Sequence, residues 1–158
     1  MKKLWVYDLE TFSNCFTYTG LQTETEEIVQ YVIWEERDDL DDLMHHLNAD
    51  VTGLIGFNNV GFDYPILHKL IKMYSSGQTE ALNSGNIATF CYALAQAIIA
   101  SQNADNNFDK YRHAVKDKDM IIPQLDLFKI YHFDNKAKRA SLKDIEIAIN
   151  YSRVQDLP

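Results

Sequence analysis

The chain has 158 residues and a mass of 18.3 kDa, close to one domain at about 150 residues each. Hydrophobic residues make up 46% and charged residues 24%, which excludes disordered, collagen-like and fibrous classes, and no apolar run reaches the roughly 18 residues of a membrane span. Fifteen basic against 23 acidic residues give a net charge of −8, which argues against coating duplex DNA but suits a small site where carboxylates hold cations.

The N-terminus, MKKLWVYDLE, meets Asp8 before an apolar signal-peptide core can form. Cys15 and Cys91 make neither a disulfide framework nor a metal pattern and read as reduced thiols of a cytoplasmic protein.

Residues 3–10 (KLWVYDLE) alternate partially and predict a strand. Residues 15–22 (CFTYTGLQ) and 28–34 (IVQYVIW) predict two more, joined by a polar turn as in a meander. Leu40, Leu43 and Leu47 then set a helical spacing over 38–48, with aspartates at the positive end of the helix dipole. Residues 52–57 form a short apolar strand ending before Asn58 and Asn59. Leu67, Leu70 and Ile71 predict a helix over 63–73, with Pro65 tolerable in its first turn. Residues 75–86 read as a loop, 87–101 as an apolar helix and 102–119 as a polar stretch of weaker helical character. Residues 121–128 (IIPQLDLF) resume a strand pattern, and 141–149 predict an amphipathic helix capped by Ser141. This order predicts a single α/β domain over 1–158, with a mixed sheet of a three-strand antiparallel meander plus parallel strands, flanked by helices. The ribonuclease-H-like fold has this order.

Asp8 and Glu10 lie two apart on the first strand, so both point to one face. Two carboxylates there repel each other unless a cation sits between them, and Mg²⁺ or Mn²⁺ takes such oxygen ligands. A solvated strand end is the alternative for this pair alone. Residues 56–67 (GFNNVGFDYPIL) add an acid, Asp63, at the opening of a helix. Each part has an ordinary account, Asp63 as a helix-start acid and Asn58 and Asn59 as turn residues. The combination G-[FY]-N-x-x-x-F-D-x-P is far more specific.

YDLETFSN followed by GFNNVGFDYPIL resembles the first two motifs of the DEDD, DnaQ-like 3′–5′ exonucleases of ribonuclease-H fold. The resemblance is nearest to the N-terminal exonuclease region of bacteriophage-type family B DNA polymerases and runs in order from residue 4 to 158. It implies a proofreading-type hydrolase that releases nucleoside monophosphates from single-stranded DNA 3′ ends with two bound Mg²⁺ or Mn²⁺ ions. Asp8, Glu10 and Asp63 would be the metal-binding and catalytic carboxylates, Asp8 bridging both ions, Glu10 holding one, and Asp63 supporting the second through water. Thr11, Asn58, Phe62 and Tyr64 would contact the nucleotide, the two aromatic rings as stacking surfaces. Two cations about 3.5–4 Å apart can activate water and stabilise the leaving 3′ oxygen.

The family also uses a fourth carboxylate from a late helix, in Tyr-x-x-x-Asp or His-x-x-x-x-Asp. Here Tyr151 precedes Asp156 by one residue too many, and His113 misses the histidine offset to both Asp117 and Asp119 and comes before the QLDLF strand. The resemblance implies a domain truncated or split before its last helix, completed by a polymerase domain or a separate chain. A catalytically incomplete module that binds nucleic acid or assembles with a polymerase is the competing class. An RNA-directed exonuclease is a third, since sugar discrimination rests on the shape of the site around the 2′-hydroxyl.

Other residues draw weaker expectations. Asp126 either approaches the site or is a buried structural acid. His45 and His46 lack the spacing of a zinc site. Lys136, Lys138 and Arg139 form a basic cluster, read by default as a solvated loop, and Trp5 and Trp34 read as core.

Overall fold

The computed structural model describes residues 3–133 and 141–148. Three long strands open the chain: β1 (Lys3–Thr11), β2 (Cys15–Gln22) and β3 (Ile28–Trp34). A two-residue strand β4 (Arg37–Asp38) and helix α1 (Leu40–Ala49) follow, then β5 (Val51–Gly56) and α2 (Asp63–Ser75). After these come α3 (Ser84–Gln102), the short α4 (Asn107–Lys110), a 3₁₀ turn (Asp117–Asp119), β6 (Gln124–Asp126), α5 (Leu127–Tyr131) and α6 (Leu142–Ala148).

The six strands form one mixed sheet in the order β4-β3-β2-β1-β5-β6. β1 through β4 pair antiparallel, while β5 pairs parallel with both β1 and β6. Helices flank this sheet, so the fold is α/β in the ribonuclease-H-like arrangement. Among the described residues no helix is long and apolar enough to cross a membrane.

β1 shows why the sequence folds this way. Trp5, Tyr7 and Leu9 are buried, while Leu4, Val6, Asp8 and Glu10 stand on the open face. Phe16 and Tyr18 of β2 and Ile33 of β3 extend the buried face, which packs on Leu43 and Leu47 of α1, Ile66, Leu67 and Leu70 of α2, and Ile87, Cys91 and Ala95 of α3. Each such large side chain contributes roughly 1.5–3 kcal/mol by leaving water. This burial fixes the strand register, and a one-residue slip would turn Asp8 and Glu10 into the core.

Two expectations need correction. The predicted strand over 121–128 is a strand only from Gln124 to Asp126, because the Asp126 carboxylate accepts the backbone N–H of Phe128 at 3.0 Å and starts α5. The predicted loop over 75–86 ends early, because the Asn83 side chain accepts the N–H of Asn86 at 2.8 Å and starts α3 three residues before Ile87. Ser141 does cap α6, its hydroxyl accepting the Asp144 N–H at 3.2 Å.

Candidate functional site

Asp8 and Glu10 project from the end of β1, opposite Thr19 and Thr17 of β2. Both are exposed. Asp63 reaches the same end of the sheet from the start of α2 and is only 8% exposed. Its carboxyl pKa is pushed up to about 7, first by burial and then by the negative charge of Asp8, with a smaller push from Glu10. Backbone N–H groups of Asp63 and Leu9 pull the other way. Burial also raises the Asp8 carboxyl, against the backbone N–H of Leu9. Asp63 thus feels the charge of Asp8 and, more weakly, of Glu10.

The turn before α2 is built with unusual care. Asn58 has a left-handed backbone, φ 58°, which Asn tolerates better than most residues. Its carbonyl accepts the N–H groups of Gly61 at 3.0 Å and Phe62 at 3.1 Å. A Cβ on Gly61 would sit 2.8 Å from the Asn58 Oδ1, so the turn requires a glycine or a displaced Asn58 side chain. The Asn59 carbonyl accepts the Tyr64 N–H at 2.7 Å, closing the first turn of the helix that carries Asp63.

Asp126 anchors this turn from β6. Its Oδ1 accepts the N–H of Asn58 at 2.9 Å, and its Oδ2 accepts that of Val60 at 3.3 Å. Of the two readings of Asp126, the buried structural acid is the one found. Beneath the carboxylates, Gln124 Oε1 accepts from the Tyr7 hydroxyl at 3.2 Å and from Asn59 Nδ2 at 2.8 Å. From α3, Gln102 Nε2 donates to the Gly61 carbonyl at 3.0 Å. Sequence reasoning missed these positioning roles of Asn59, Gln102 and Gln124. Their partners are 41 to 117 residues away, and no local pattern signals them.

The predicted nucleotide contacts separate. Thr11 is half-buried at the end of β1, Asn58 is exposed, and Phe62 is half-buried at the edge of the core. Tyr64 is a correction. It is fully buried, and its hydroxyl accepts the backbone N–H groups of Ile121 at 2.9 Å and Ile122 at 3.0 Å. The ring holds the β6 approach to α2 and has no free face for a base.

The remaining expectations place simply. Trp5 is core, its ring 4.5 Å from that of the buried His46, while Trp34 is half-buried and His45 is exposed. Cys15 and Cys91 are free thiols, and burial pushes Cys91 up to about 12. Lys136, Lys138, Arg139, Tyr151 and Asp156 lie outside the described residues.

The acids supply hard oxygen donors of the kind that Mg²⁺ and Mn²⁺ take. Burial and Asp8 disfavour the charged form of Asp63, and a cation nearby would restore it. The fit is one of donor chemistry and charge: among the described residues no three His, Cys, Asp or Glu side chains stand ready-grouped to hold a metal ion. Comparison with known proteins finds no matching family model, no matching curated protein and no matching solved structure.

Proposed function

We propose that the chain is a metal-dependent 3′–5′ exonuclease domain acting on single-stranded DNA ends, of the kind that proofreads for a bacteriophage-type DNA polymerase in the bacterial cytoplasm. The observation that supports it is the coupling of buried Asp63 to Asp8 at the end of β1. Asp8, Glu10 and Asp63 would hold Mg²⁺ or Mn²⁺, which supplies charge neutralisation and an activated water for phosphodiester hydrolysis. Near neutral pH Asp63 keeps a proton part of the time, and it would give that proton up to a bound cation. Thr11, Asn58 and Phe62 would contact the terminal nucleotide. A polymerase domain or separate chain supplies the fourth carboxylate.

The test is digestion of a 5′-labelled single-stranded DNA in Mn²⁺, by the chain alone and mixed with polymerase fragments. Stepwise loss from the 3′ end, abolished by Asp8→Ala, supports the reading. No digestion in any mixture contradicts it. Matched DNA and RNA oligonucleotides would separate the two sugar preferences.

A second reading, a ribonuclease-H-fold module that binds or assembles without turnover, rests on the fourth carboxylate: Tyr151 precedes Asp156 by one residue too many for the family's pattern. Nuclease activity that depends on Asp8 would rule it out.

A further inference from the structure

The acidic chain carries a groove of opposite sign. It lies between α2, α3 and the 113–121 loop and has a volume of about 770 Å³. Lys69, Lys72 and Lys116 line it, with His68 and His113 between them and Asp119 as the one acid. All three lysines are exposed, and none takes part in an ion pair among the described residues. The local potential acts on His68, whose pKa is lowered by burial and then by Lys72, with Lys69 adding to it and Asp119 opposing. The His68 Nδ1 is buried without a hydrogen-bond partner among the described residues. Pro65, Phe90 and Leu94 give the groove an apolar wall with one aromatic ring.

The groove is a second surface and not an extension of the carboxylate site. Lys72 follows Asp63 by nine residues, about two and a half helical turns, so the two face opposite sides of α2. Lys69 and Lys72 are neighbours on the helix surface, about 5–6 Å apart at Cβ. That spacing is comparable to the step between successive phosphates of an extended strand.

We propose that this groove binds a single-stranded polynucleotide, with Lys69, Lys72 and Lys116 on its phosphates and the Phe90 ring against a base. A strand carries one charge per unit on its outside and a flat apolar face on its inside. This matches lysines on the rim and an aromatic wall within, the combination that holds single strands without sequence preference. An acidic peptide would satisfy the rim and leave the wall uncovered. The inference stands apart from cleavage, because the groove needs no metal.

The test is fluorescence anisotropy of a labelled oligothymidylate with the full chain in EDTA, where hydrolysis cannot intervene. The wild type binds, and Lys69→Gln with Lys72→Gln weakens binding at least about tenfold at low salt. The double variant also flattens the slope of log K against log [salt] by about 1.4, the loss of two phosphate contacts on a single strand. Lys3→Gln with Arg37→Gln removes the same charge elsewhere and keeps wild-type affinity. Circular dichroism confirms that each variant is folded. Absence of wild-type binding, equal binding by the Lys69/Lys72 variant, or displacement by polyglutamate at matched charge would each overturn the proposal. Failure of the nuclease reading would appear separately, as absent digestion in Mn²⁺ with this EDTA binding intact.

Discussion

The Asp126 carboxylate accepts the backbone N–H of Asn58 at 2.9 Å, tying the last residue of β6 to the turn that launches Asp63. The same carboxylate also accepts from Val60 and Phe128. One side chain therefore holds the site turn and starts the next helix. Asp126→Asn keeps at most one acceptor oxygen and turns an amide toward a backbone donor. The expected cost is about 1–3 kcal/mol, measured by urea unfolding, with nuclease activity lowered through the loosened turn.

Tyr64→Phe separates packing from substrate contact. The ring stays in the core, but the N–H groups of Ile121 and Ile122 lose their acceptor. Stability should fall by about 1–3 kcal/mol, while the affinity of the folded protein for single-stranded DNA stays unchanged. A selective loss of DNA affinity would restore the stacking role.

Gly56 and Gly61 make a graded pair. A Cβ at Gly56 meets the Asn59 Cβ at 2.7 Å, inside a buried turn. A Cβ at Gly61 meets the Oδ1 of exposed Asn58 at 2.8 Å, an atom that can swing away. Gly56→Ala should cost about 1–3 kcal/mol and Gly61→Ala distinctly less, as read from thermal unfolding.

Stability of the metal-free protein should depend on pH through Asp63. Its folded pKa of about 7 lies above the unfolded carboxyl value near 3.9, so the folded state holds the proton more tightly. This contribution is complete below about pH 4 and is lost as pH rises to about 7, at up to about 1.4 kcal/mol per pH unit. Asp8, also raised, acts in the same direction. His46 acts oppositely, since burial lowers its pKa and acid below about 6.5 destabilises the fold through it. Urea unfolding from pH 4 to 8 should show the Asp63 contribution as the difference between wild type and Asp63→Asn. Identical profiles would contradict it.

What the sequence made legible was whatever repeats locally. The alternation of Trp5, Tyr7 and Leu9 against Asp8 and Glu10 fixes both the strand and the face on which its acids stand. Asp63 at a helix start was equally plain. The QLDLF alternation misled because Asp126 is a helix cap, and caps look like strand residues until the next N–H is seen to bond. Tyr64 misled for a related reason. An aromatic residue beside a site acid suggests a stacking ring, but its burial is decided by Ile121 and Ile122, 57 and 58 residues away.

The central claim is that Asp8, Glu10 and Asp63 together hold a divalent cation, and calorimetric titration of the purified chain with Mn²⁺ at pH 7 tests it most directly. The account predicts binding with proton release, judged by the dependence of the heat on buffer, and at least tenfold weaker binding by Asp8→Ala and by Asp63→Ala. No Mn²⁺ binding by the wild type, or equal binding by both variants, would contradict it.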